Sequence, residues 1–335
     1  MHSVRFTIFF SAIALLAVSS CSRGAPEVAP AVYVTEYGLG PDKWATAWLL
    51  TKRPGVVAKL LVVDAGAAVV GGTPFDVPVS AWRRIGERSG FEVARDALQL
   101  SDPVIATLAR IVHEIEVNFW TSDGPPEALI VEEAYRALQH RYGRESVTPQ
   151  CYVAFFDRVY EVLRDVQARS IYLDADRLNL SCEELVQVAS TRGEIVPEAP
   201  IADVLSAMAA GRRVVFVDVR EPDEFAEGHI PGALNIPLRE ATPEFAERLR
   251  GADYVVSYCV KDFRGFEMAR ALADMGVANS VILRPYGIKG WASLGLPITG
   301  ARALTHDDAQ RDLAECLAAQ GECLTRRAAA LESPT

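Results

Sequence analysis

The sequence predicts an α/β fold for its C-terminal part, a parallel sheet with helices on both faces, joined to a helix-rich α+β N-terminal domain. Three observations carry this. Residues 214–219 and 255–258 are nearly continuous apolar runs, as strands buried on both faces require. Helical patterns at 201–209, 221–226, 243–250 and 265–275 alternate with them, and strand–helix alternation is the mark of a covered parallel sheet. Upstream, apolar residues repeat instead at helix spacing, through Ile105, Leu108, Ile111, Val112 and Ile115. The chain has 335 residues, too many for one ordinary core. A stretch at 193–200 with two prolines marks the expected boundary.

In chain order, residues 1–20 read as a signal peptide: one basic residue, Arg5, then an apolar run over 6–18 that is short for a membrane span. Val18-Ser-Ser-Cys21 resembles the lipobox of bacterial lipoproteins, which implies cleavage before Cys21 and lipidation of its sulfur. The expected product is exported to the periplasm and lipid-anchored to a membrane, the outer one in a Gram-negative cell because Ser rather than Asp follows Cys21. Residues 21–32, rich in Pro, Ala and Gly, read as a tether. Residues 33–175 then form the first domain. Helices are expected at 41–52, 90–98, from Ser101-Asp-Pro103 onward, at 127–142 and at 148–168, with a strand at 56–64 and strand and loop over 65–78. Residues 170–177 read as extended. Ser181-Cys-Glu-Glu184 resembles a capping box, so 176–197 is a linker helix segment. A third strand is expected at 281–283, and 301–335 is a partly helical tail. The net charge of −10 argues against broad nucleic-acid binding.

Four motifs in the first domain resemble the chromate-resistance (ChrB-type) family: Asp42-Lys-Trp-Ala-Thr-Ala-Trp-Leu-Leu50, Gly72-Thr-Pro-Phe-Asp-Val-Pro78, Gly86-Glu-Arg-Ser-Gly-Phe-Glu92 and Ile111-Val-His-Glu-Ile-Glu116. Where that family commonly carries Cys, His and Cys, this chain has Thr46, Arg84 and Ser89. Regulatory members carry an N-terminal DNA-binding segment, and a signal peptide stands in its place here. Arg84, Arg88, Glu92, His113 and Glu116 are the candidate anion or metal site. His113 and Glu116 share a helix face, but a metal needs three or more ligands, so no metal is assigned. The bland alternative is a helix histidine with an ion-pair partner and ordinary surface arginines.

Downstream, Asp218-Val-Arg-Glu221, Glu224-Phe225 and Gly228-His-Ile-Pro-Gly-Ala-Leu-Asn-Ile-Pro237 resemble the rhodanese signature, and Gly287-Ile-Lys-Gly-Trp291 with Gly295-Leu-Pro297 its closing motif. The resemblance covers 198–300. It implies a sulfurtransferase with Cys259 as nucleophile, standing at a strand end before a helix N-terminus. Val260, Lys261, Asp262, Phe263, Arg264 and Gly265 would bind substrate, with Lys261 and Arg264 gripping an anionic donor. Asp218, Arg220 and His229 would support the site. The implied substrates are a small sulfur donor (thiosulfate or a persulfide) and a thiol or cyanide acceptor, with no cofactor and no nucleic acid. The Cys259–Arg264 loop has six residues, whereas related dual-specificity phosphatases use one more, so phosphatase chemistry ranks low. Many single-domain relatives have Gly at Asp262 and Ser at Gly265; Asp tolerates an unusual φ, but its charge would raise the Cys259 pKa and repel an anion.

Two further classes compete: an oxyanion- or metal-sensing lipoprotein with the second domain as scaffold, and a thiol-redox partner. Cys151 and Cys182 could pair or stay separate, and Cys316 with Cys323 reads as a bridge or a redox couple.

Overall fold

The computed structural model describes residues 30–183 and 196–319, apart from residues 54 and 122. The signal peptide, Cys21, most of the tether, most of the linker helix and Cys323 lie outside the described residues. Among the described residues no helix is long and apolar enough to cross a membrane.

The N-terminal region opens with β1 (Ala31–Glu36), followed by α1 (Pro41–Thr51), β2 (Ala58–Val63) and β3 (Thr73–Pro74). The three strands form a parallel sheet in the order β2-β1-β3. Four helices follow: α2 (Gly90–Ala97), α3 (Pro103–Glu116), α4 (Glu127–Tyr142) and α5 (Pro149–Arg169). Their starts are set by side chains. Ser89 and Glu92 make a reciprocal capping box on α2, Asp102 accepts from Val104 and Ile105 at α3, and Thr148 accepts from Cys151 at α5. Strand β1 has no counterpart among the expected elements. Residues 170–177 are not extended throughout, because Asp174 caps a 3₁₀ turn at Ala175–Leu178. A disulfide joins Cys151 to Cys182. Cys316 is also disulfide-bonded, and Cys323 lies outside the described residues.

The C-terminal part runs β4 (Glu198–Pro200), α6 (Ile201–Ala209), β5 (Val214–Asp218), α7 (Pro222–Glu227), β6 (Leu234–Asn235), α8 (Pro243–Leu249), β7 (Tyr254–Tyr258), α9 (Phe263–Asp274), β8 (Ser280–Arg284), α10 (Gly287–Ser293) and α11 (His306–Ala318). The strands pair in parallel in the order β4-β8-β7-β5-β6. Two apolar clusters pack on this sheet, one around Phe216, Val256, Leu283 and Trp291 and one around Val217, Val255, Met268 and Leu272. They cover opposite faces because alternate residues of β5 and β7 point opposite ways. The α/β expectation for this part therefore holds.

From Ala31 onward the chain folds as one compact unit. The N-terminal core takes in Phe263, Phe266 and Ala269 of α9. The helix that follows the Cys259 loop is thus shared by both halves, and that sharing positions everything described next.

Candidate active site

Cys259 sits just past β7, the central strand of the five, between β5 and β8, at the carboxyl end where parallel sheets place their sites. Its loop is held from below by α10. Ile288 N–H donates to the Cys259 carbonyl at 2.9 Å and Lys289 N–H to the Val260 carbonyl at 3.0 Å. Gly287 makes this approach feasible. Its φ is +63°, and a Cβ there would lie 2.5 Å from the Val260 carbonyl oxygen and 2.6 Å from that of Cys259. Gly287→Ala is expected to cost roughly 2–5 kcal/mol, left-handed strain plus overpacking, and to displace the loop. A urea midpoint equal to wild type would show that the loop absorbs the methyl.

The α9 side is equally tight. A Cβ on Gly265 would lie 3.0 Å from the Ser257 carbonyl oxygen, so glycine lets α9 pack closely on β7. Asp262 has φ −137°, so the loop needs no unusual backbone there, contrary to the concern raised by its residue type.

The electrostatics differ from expectation. Cys259 is fully buried, and burial pushes its thiol up to about 11; Arg264 and the Gly265 N–H oppose this, while Glu116 and Asp262 add to it. At neutral pH the thiol form therefore predominates. Desolvation outweighs Arg264 and the Gly265 N–H, and Asp262 raises the thiol as its charge leads one to expect. Cys259 is buried in the C-terminal core beside Val217, Val255, Met268 and Leu272, while the loop that follows it is engaged by the N-terminal region. Lys261 is paired with Glu132 of α4 at 2.8 Å. Asp262, fully buried, is paired with Arg136 at 2.7 Å and with Arg144. Arg136 also lies 4.5 Å over the Phe263 ring, and Tyr135 meets that ring edge-on at 5.7 Å.

Of the six expected substrate-binding residues, Arg264 alone lines the neighbouring cavity. Val260, Asp262 and Phe263 are buried, Gly265 packs on β7, and Lys261 is engaged by Glu132. Arg264 grips Glu224 with both terminal nitrogens, at 3.0 and 3.1 Å. Arg84 meets the same Glu224 at 3.1 Å and donates to the Glu116 carbonyl. Burial alone would raise the Glu224 carboxyl, but Arg264 and Arg84 outweigh it and bring it down to about 2.

Asp218 and Arg220 form a fully buried pair at 2.6 Å, and Arg220 also donates to the Gly228 carbonyl. They brace the β5–α7 turn, with Asn235 donating to the Asp218 and Arg220 carbonyls. His229 stacks on Phe225 and contacts its carbonyl oxygen; burial lowers its pKa.

The candidate anion or metal residues do not form one cluster. Arg84 and Glu116 line the cavity beside Arg264. Arg88 pairs with exposed Asp96, and Glu92 pairs with His113 at 3.0 Å while capping α2. Among the described residues no group of three or more His, Cys, Asp or Glu could hold a metal. Sequence reasoning missed Glu132, Arg136 and Arg144. Arg136 and Glu132 stand four apart on α4, which reads as an ordinary helix pair.

A single free cysteine among the described residues, at the carboxyl end of an inner parallel strand and followed by a short loop into a helix, defines a rhodanese-like domain. Residues 201–294 match the rhodanese-like domain family, and residues 33–163 match the ChrB C-terminal domain. The chain belongs to the rhodanese family and carries a ChrB C-terminal domain ahead of it. It is 33% identical over 104 residues to a sulfurtransferase of Allochromatium vinosum, covering 31% of this chain and 95% of that one. A thiosulfate:glutathione sulfurtransferase of Saccharomyces cerevisiae is 34% identical over 94 residues, covering 24% of this chain and 67% of that one. An HTH-type transcriptional regulator of Mycobacterium tuberculosis is 34% identical over 132 residues, covering 38% of this chain; the match spans 57% of that relative's length.

Proposed function

We propose that the protein is a sulfurtransferase that carries sulfane sulfur on Cys259. The observation that carries this is the placement of a reduced cysteine, the one free cysteine among the described residues, at the carboxyl end of β7, with Arg264 acting to stabilise its thiolate. The names of the relatives support the class. In the first half-reaction the Cys259 thiolate attacks the sulfane sulfur of thiosulfate. The S–S bond of the donor breaks, sulfite leaves with the electron pair, and Cys259 becomes a persulfide. In the second, an acceptor thiolate takes the outer sulfur and Cys259 leaves as thiolate. Because the thiol is buried, turnover requires the Cys259 loop to open enough for the donor to reach its sulfur.

Mass spectrometry of protein incubated with thiosulfate or a small persulfide tests this. The expected gain is one sulfur atom, mapped to Cys259 and missing from Cys259→Ser. No gain with either donor sinks the proposal.

Export is part of the same proposal. The Cys151–Cys182 disulfide supports an oxidising compartment, and Cys21→Ser is expected to release the protein from the membrane fraction. A link to chromate handling rests on the ChrB C-terminal domain alone.

A further inference from the structure

A cavity of about 140 Å³ lies between the two halves of the fold. Arg264, the last residue of the Cys259 loop, forms part of its wall, and Glu116 at the end of α3 faces it from the N-terminal region. Pockets for larger ligands run to about 300–1,000 Å³, so the occupant is small.

The wall charges largely cancel in pairs. Lys43 meets Asp76 at 2.7 Å, and Arg239 lies between Glu36 at 2.8 Å and Glu267 at 2.6 Å. Arg84 and Arg264 are both spent on Glu224. Asp42 accepts the Gly90 and Phe91 N–H groups at 2.7 and 2.8 Å. Glu116, Glu221 and Glu240 make no ion pair with a described residue, and among the lining bases only Arg83 is in that position. The unpaired charge is therefore mainly negative, which repels a dianion such as thiosulfate or chromate and favours a cationic group.

Glu116 is the most telling of these. It is 5% exposed, lines the cavity and makes no ion pair with a described residue. A carboxylate this poorly solvated and without a counter-charge is costly. Room for it is made by Gly40, where a Cβ would lie 2.6 Å from its Oε1. Burial raises its carboxyl to about 7, with Arg264 opposing, so a matching cation would both satisfy and ionise it.

Resting on the sulfurtransferase reading above, we propose that this cavity is the acceptor site and takes a small aminothiol, its ammonium group held by Glu116 and any carboxylate by Arg83. Donor and acceptor then use different chemistry. The acceptor thiolate attacks the outer sulfur of the protonated Cys259 persulfide. The bond from that sulfur to Cys259 Sγ breaks, Cys259 leaves with the electron pair, and the acceptor departs as a persulfide. Its thiol proton goes to water.

The test uses the full chain, preloaded with sulfur from thiosulfate, and single-turnover discharge to cysteamine, cysteine and 3-mercaptopropionate, with rates corrected to the thiolate concentration. Wild type is expected to prefer cysteamine and cysteine to 3-mercaptopropionate. Glu116→Gln should lower that preference roughly tenfold or more, the value of a hydrogen bond to a charged group. Arg83→Gln should lower cysteine relative to cysteamine. The neutral amide relieves a buried charge, so Glu116→Gln is expected to fold; Gly40→Ala, which crowds the carboxylate, offers an independent second variant. Equal discharge to amino and non-amino thiols by wild type, or an unaltered ratio in both Glu116→Gln and Gly40→Ala, overturns the proposal. Failure of Cys259 to load at all would instead remove the sulfurtransferase reading.

Discussion

Asp262→Ala is expected to destabilise the protein by roughly 3–5 kcal/mol, the cost of removing one partner from a buried ion pair, and to loosen the loop that holds Cys259. The side chain is fully buried and shared by Arg136 and Arg144. Arg136 keeps Glu132 at 2.8 Å after the substitution, but Arg144 has no other ion-pair partner among the described residues. It would be left over the Phe266 ring with its charge unpaired. The same pairs clamp the N-terminal region onto the Cys259 loop. Weakening the clamp by about 3 kcal/mol raises the open population about a hundredfold. Alkylation of Cys259 by iodoacetamide should accelerate accordingly. Asp262→Asn keeps the shape and loses the charge, so an effect close to that of Ala would assign the loss to the ion pairs. A wild-type urea midpoint with unaltered alkylation would show that the clamp is not ionic.

This clamp marks the limit of what the sequence reveals. The strands at β5 and β7 and the cysteine after β7 are legible because their signals are local: continuous apolar runs, turn residues and a short polar loop. The loop's partners are not local. Asp262 and Arg144 are 118 residues apart, and nothing in a helix pattern says which arginines of α4 and its neighbours face another half of the chain. Phe263 illustrates the same point. By position it is a loop residue beside the nucleophile, yet it is fully buried in the N-terminal core. Arg84 and Glu116 were legible as functional residue types. Their companions were not Arg88, Glu92 and His113 but Arg264 and Glu224, which only the tertiary fold brings near. Glu92 and Ser89 proved to be a helix cap, and helix caps draw on the same polar residue types as binding sites.

Two sets of carboxyls with opposite shifts give a distinctive dependence of stability on pH. Burial raises Glu116 from its ordinary 4.5 to about 7 and also raises Asp42. Between pH 4.5 and 7 the folded state therefore holds protons that the unfolded chain has released, so stability falls as pH rises through this window. A shift of this size for Glu116 corresponds to about 3 kcal/mol. His229, whose pKa burial lowers, works in the other direction and offsets part of it. Glu224, brought down to about 2 from 4.5, and Asp262, held low by Arg136 and Arg144 against its burial, behave oppositely. Their contribution is complete above pH 4.5 and is lost as pH falls toward 2. Stability is thus expected to peak near pH 5, with a loss of about 2–3 kcal/mol by pH 7.5 and a steeper one below pH 4. Urea unfolding at pH 7.5, 5 and 3 would show it. In Glu116→Gln the arm between pH 5 and 7.5 should flatten while the acid arm stays. A wild-type curve that rises from pH 5 to 7.5 would mean that Glu116 is ionised at no cost in the folded protein, and that a partner for its charge is already in place.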